Sequence, residues 1–94
     1  MANEASNQVI VPFYLPDQYP MLLEMAEDAE LLEEKWEVWY QNYLEFKHKM
    51  KKKGIECLEL IVDVEEMNNY CIMNDLKNID INRTLYVQKF YQSL

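Results

Sequence analysis

Residues 17–54, DQYPMLLEMAEDAELLEEKWEVWYQNYLEFKHKMKKKG, decide how this chain is read. The stretch opens on Asp17, which is suited to capping free amide groups. Pro20 falls within or just before a first turn, where its missing N–H costs little. The stretch closes on Gly54, the single glycine of the sequence, placed as a left-handed stop. In between, Met25, Ala29, Leu32, Trp36, Trp39, Tyr43, Phe46 and Met50 recur at steps of four and three, which draws a heptad-like stripe down one helical face. Leu22, Val38, Tyr40 and Leu44 widen the stripe beyond a minimal two-stranded seam, so it also suits the core face of a globular bundle. The spacing predicts one helix from about residue 18 to 53. Glu24, Glu27, Asp28, Glu30, Glu33 and Glu34 crowd its first half and Lys47, Lys49, Lys51, Lys52 and Lys53 its last turns. Both match the helix dipole, at ~0.3–1 kcal/mol for each well-placed charge.

On the N-terminal side, QVIVPFYLP is rich in β-branched and aromatic residues and bounded by Pro12 and Pro16, which predicts a short strand near a sheet edge. On the other side, IECLELIV is apolar, β-compatible and able to pair with that strand. A two-stranded ribbon is marginal alone and has to lean on a helix. DVEE then reads as a capping box, with Asp63 as the cap and Glu66 reaching back to its N–H. It starts a helix through roughly Leu76 with Val64, Met67, Tyr70 and Cys71 inward. KNID makes a turn, and Asp80 or Asn82 caps a last helix with Leu85, Tyr86, Phe90 and Leu94 on its buried side. The expected architecture is therefore mainly α within an α+β class: a long N-terminal helix, a small two-stranded β ribbon and two shorter C-terminal helices. All of it fits one domain, residues 1–94, with 1–7 as a flexible tail.

The totals narrow the function classes. A net charge of −8, from 17 acidic against 9 basic residues, opposes binding to nucleic acid or an anionic membrane, both of which attract basic patches. The start, MANEASNQ, has no basic region followed by an apolar run, and no stretch approaches the ~20 apolar residues that cross a bilayer. The expectation is a soluble cytoplasmic protein whose two cysteines, Cys57 and Cys71, are free thiols.

Residue constellations for chemistry are weak. His48, the lone histidine, lies in a lysine-rich helix end, where a solvated or dipole-satisfying side chain is the commoner case. Cys57 and Cys71 have no CxxC-like spacing and read first as small core hydrophobes. Pairs such as Glu56 and Glu59, or Glu65 and Glu66, occur in any acidic protein. The run from Glu24 to Glu34 has no calcium-loop pattern. Arg83, the lone arginine, pairs on this reading with Asp80 or another local acid. Residues 64–93 could be spaced as a helix-turn-helix, but the last helix carries only Arg83 and Lys89 as cations, against the positive surface that DNA phosphates require. No catalytic residue, metal site, cofactor or small-molecule substrate is expected.

The aromatic stripe supplies the functional reading. A helix over residues 18–53 would be ~50 Å long, against a sphere ~32 Å across for a chain of this size. It would overhang its own domain and leave rings in need of cover. Trp36, Trp39, Tyr40, Tyr43 and Phe46 are the candidate contact residues, because Trp and Tyr dominate interface energetics when exposed. The competing reading is that the stripe is this protein's own core. Two such helices running antiparallel would set the acidic half of one against the lysine half of the other, which favours a homodimer.

The segments WEVWYQNYL, VDVEEMNNYC and NRTLYVQKF together resemble a type of short bacterial protein of unknown function, over about residues 32–90. The resemblance implies a bacterial origin and the same helix boundaries, and it carries no activity and no functional residues. The expected function is a non-enzymatic protein–protein interaction or regulatory module whose partner is a protein, with a second copy of the chain among the candidates. The alternatives are an acidic inhibitor or decoy of a basic nucleic-acid-binding protein, using carboxylates between Glu24 and Glu37, and a helix-turn-helix DNA-binding regulator.

Overall fold

Two short apolar strands, each too small to persist alone, are held together by the helices that connect and cover them. The computed structural model describes residues 7–94; the tail expected over 1–7 lies, apart from Asn7, outside the described residues. Strand β1 (Gln8–Phe13) is followed by helices α1 (Tyr19–Met25) and α2 (Trp36–Lys52), strand β2 (Glu56–Ile61), and helices α3 (Val64–Met73) and α4 (Asp80–Gln92). The class is the one expected, mainly helical α+β with a two-stranded ribbon and two shorter C-terminal helices. The strands pair in parallel, Gln8 opposite Glu56 through Phe13 opposite Ile61. Parallel pairing requires a long crossover, and α1 with α2 supplies it.

Glu56 N–H donates to the Asn7 carbonyl and Val62 N–H to that of Phe13. A parallel ladder uses alternate residues. Val9, Val11 and Phe13 therefore turn their backbone groups toward β2, and Gln8, Ile10 and Pro12 turn theirs outward. Pro12, which has no N–H, thus sits where the ladder loses nothing. Side chains alternate as well: Phe13 faces α2, while Ile10, Leu60 and Val62 pack toward a core made of Tyr14, Tyr19, Leu22, Val64, Met67, Tyr86 and Val87.

The expected continuous helix over 18–53 is corrected. It is broken after Met25, passes through a single 3-10 turn at Ala29–Leu31, and restarts at Trp36. The ~50 Å rod, and with it the overhang, does not exist. Two causes act together. Glu24 with Asp28, Glu27 with Glu30, and Glu30 with Glu34 would be like-charged neighbours on a helix, each opposing it by ~0.2–0.5 kcal/mol. In addition, Arg83 is buried at 3% exposure and draws Asp28 out of register. Its guanidinium donates from Nη1 and Nη2 to both Asp28 oxygens, at 2.9 Å each, and from Nη1 to the carbonyl and Oδ1 of Asn78. Alongside, Glu27 N–H donates to the Asn78 carbonyl and Asn78 N–H to the Glu27 carboxylate. The partner of Arg83 is therefore Asp28, 55 residues away, and not a local acid.

Smaller corrections follow the same logic of partners. Gln18, not Asp17, precedes α1, with no side-chain cap bond, and Pro20 does sit in the first turn. Asp63 caps α3 by accepting from Glu66 N–H, but no return bond from the Glu66 side chain forms among the described residues. Helix α3 ends at Met73 rather than near Leu76, because Asn74 caps it and Asp75 adopts a left-handed φ of 57°. Asp is one of the few residues that tolerates that region. Neither Asp80 nor Asn82 caps α4; Asp28 reaches across to accept from Asp80 N–H. The inner face of α4 is Arg83, Tyr86, Val87 and Phe90, so Leu85 and Leu94 point outward. Gly54 ends α2 as expected, at φ 79°.

Asn at position 28 would leave a buried guanidinium without its counter-charge, a loss of roughly 3–5 kcal/mol from a total of ~5–14 for a chain this long. The Arg83 hydrogen bonds hold the Asp28 carboxyl below the usual carboxylate range, against the opposing effect of burial. A carboxyl lowered on folding stabilises above its unfolded value of about 3.9, and that contribution fades as pH falls through the lowered folded value. Urea midpoints of wild type and Asp28→Asn should differ widely at about pH 7 and converge at about pH 2. Equal midpoints at neutral pH would contradict the role given to the pair.

Candidate functional site

The aromatic residues of α2 do not act as one stripe. With the helix restarted at Trp36, its first turns close over the end of β1. Trp36 Nε1–H donates to the Tyr14 carbonyl at 2.7 Å, and Tyr19 O–H donates to the Glu33 carbonyl at 2.7 Å. Trp39 packs against Phe13, Tyr14 and Tyr19, and stacks on Tyr43 with centroids 5.2 Å apart. Trp36 stacks on Tyr40 at 4.9 Å, nearly parallel. Both indoles are half-buried, Tyr40 is half-buried and Tyr43 is buried. Such ring pairs contribute ~0.5–1.5 kcal/mol each beyond their burial, so this half of the seam belongs to the fold.

Tyr43 also ties α2 to β2. Its hydroxyl donates to Glu59 Oε2 at 2.5 Å, and Lys47 Nζ donates to the same oxygen at 2.9 Å. Burial, reinforced by the Glu59 charge, pushes the Tyr43 phenol well above its ordinary value, and the same Tyr43 bond, with help from Lys47, lowers the Glu59 carboxyl. The two shifts agree: the phenol keeps its proton and the carboxylate keeps its charge.

The second half of the seam is open. Phe46 is 43% exposed, and with Trp39, Tyr43 and Met50 it forms one wall of a groove of about 590 Å³. The floor is Val9–Pro12, and the other wall is Asp80, Thr84 and Gln88 of α4. Four consecutive strand residues can line one groove only if it runs along the edge of the strand, because their side chains alternate between faces. The groove therefore follows the outward edge of β1. The aromatic half of this site was legible from helical spacing. The proline-bounded run also pointed to an edge strand, whereas the α4 wall was not legible.

Elsewhere, a cleft of about 570 Å³ at the end of α2 brings together Lys47, His48, Lys51 and Cys57. Burial pushes the Cys57 thiol up, against the opposing effect of Lys47, and burial also raises Cys71. Neither thiol is activated as a nucleophile would be. Arg83 is engaged by Asp28, which leaves Lys89 as the one cation of α4 with no ion pair among the described residues. Among the described residues, no three His, Cys, Asp or Glu side chains converge as a metal site would require, and no helix is long and apolar enough to cross a membrane. No family model, curated protein or solved structure matches this chain.

The division of the seam is measurable. Phe46→Glu should leave the free energy of urea unfolding almost unchanged, within about 0.5 kcal/mol. Trp39→Ala should cost about 3 kcal/mol, near the lower end for loss of a packed indole. A Phe46→Glu variant as damaged as Trp39→Ala would place Phe46 in the core and close the groove.

Proposed function

We propose that this chain is a non-enzymatic protein–protein interaction or regulatory module, and that its contact face is the groove between α2 and α4. The observation that carries the reading is a mainly apolar cleft of about 590 Å³ that borders a strand edge left unpaired among the described residues. Apolar and aromatic side chains beside unsatisfied backbone groups are the two ingredients of a polypeptide-binding surface. Phe46 and Met50 supply the open apolar wall. Trp39 and Tyr43 also line the groove, and Trp36 and Tyr40 brace the start of α2 behind that wall.

The charge pattern of α2 supports a second form of the same reading, self-association. Glu37 lies in its first turn and Lys49, Lys51 and Lys52 in its last, so two antiparallel copies would oppose unlike charges. Sedimentation equilibrium tests this form: a dimer that weakens with salt supports it, and a monomer at high concentration removes it.

The contact face itself is tested with short random peptides displayed on phage and selected on the immobilised protein. The expected binders lose at least roughly tenfold in affinity on Phe46→Glu, the size of effect that loss of an anchor side chain produces. A selection that yields no binder, or only binders indifferent to Phe46→Glu, contradicts the proposal.

A further inference from the structure

The outward edge of β1 has a specific hydrogen-bonding character. Gln8 and Ile10 each present a donor and an acceptor away from β2, and Pro12 presents an acceptor alone. Such an edge is satisfied by another extended backbone. The two walls of the groove differ: the α2 wall is mainly apolar, with Trp39, Phe46 and Met50 beside the single amide of Asn42, while Thr84 and Gln88 on the α4 wall are polar. A segment laid along the edge would therefore present its residues alternately to an apolar and a polar side.

The charge is one-sided as well. Among the described residues, Asp80 is the only charged one lining the groove. Its N–H is held by Asp28, but its exposed carboxylate forms no hydrogen bond or ion pair among the described residues. The surrounding protein carries a net charge of −8.

We infer that the groove takes an extended, basic segment of another polypeptide as a third strand on β1, apolar residues toward α2 and a lysine or arginine toward Asp80. This rests on the reading of the groove as the contact face and adds the class and conformation of the partner. A second copy of the chain fits less well. It would bring the same surplus of negative charge, and its own Pro12 would limit pairing from both sides. Pro12 also confines the added strand to the short stretch around Gln8 and Ile10. That suits reversible docking of a short segment and opposes open-ended edge-to-edge growth.

The test uses synthetic versions of the phage-selected peptides and ¹⁵N-labelled full chain. Enriched sequences should alternate apolar and polar residues with a lysine or arginine in the polar register. Bound peptide should slow hydrogen exchange at the Gln8 and Ile10 amides at least roughly tenfold. N-methylation of the peptide at the backbone positions facing β1 should weaken binding by roughly tenfold, with little effect between them, as loss of strand pairing requires. Asp80→Lys should weaken it at least about fivefold, with a reduced dependence on salt. If a peptide sensitive to Phe46→Glu leaves Gln8 and Ile10 exchange unchanged, strand addition is overturned and the groove survives as contact face. Binders without basic residues and indifferent to Asp80→Lys overturn the charge requirement. Protection of Gln8 and Ile10 that grows with protein concentration alone makes the occupant a second copy and overturns a foreign segment.

Discussion

The buried guanidinium of Arg83 is the constraint on which the rest of the arrangement depends. A cation taken out of water needs a counter-charge and hydrogen bonds for its remaining donors. Here the counter-charge comes from far along the chain, Asp28 in the break between α1 and α2, and the remaining acceptors come from nearby Asn78 in the turn before α4. Asp28 accepts a bidentate contact and caps α4 through Asp80 N–H. One carboxylate thus interrupts one helix and starts another. The pair need not add stability over an apolar core of the same shape. What it supplies is uniqueness, since leaving either partner alone is the costly outcome.

The consequences reach the surface. With the helix interrupted at Asp28, α1 lies against α3 and α2 is free to turn across the strands. Trp36 and Trp39 close over the end of β1, Tyr43 fastens α2 to Glu59, and Phe46 and Met50 are left facing α4 across the β1 edge. An unbroken rod would have left a long aromatic stripe with no second wall. The interruption converts a flat stripe into a groove with a floor of backbone.

Much of the fold is legible in the sequence where the determinants are local. Proline and β-branched residues marked β1, Asp63 marked the start of α3, and Gly54 marked the end of α2, each through the conformation of one or two residues. The interruption of the long helix was not legible, since Ala, Glu, Leu and Lys between residues 26 and 35 all favour helix and the force that breaks it acts from Arg83, far along the chain. Density of like charge from Glu24 to Glu34 was a visible warning. The inner face of α4 was misread in part because Leu85 outranks Arg83 on any hydropathy scale, and only the counter-ion makes Arg83 the inward residue. For the candidate site, helical spacing found the aromatic wall but treated Tyr43 and Phe46 alike, whereas one is buried by β2 and the other opens to solvent.

Amide hydrogen exchange across residues 22–52 tests the interruption most directly. In the arrangement described, the first N–H groups of α2, Trp36 through Val38, have no helical acceptor, and Trp39 N–H is the first to bond, to the Lys35 carbonyl. Glu33 through Val38 should therefore exchange rapidly, between the protected amides of α1 and those from Trp39 onward. Continuous protection from Leu22 to Lys52 would mean an unbroken helix, and would contradict both the place given to Arg83 and the groove that follows from it.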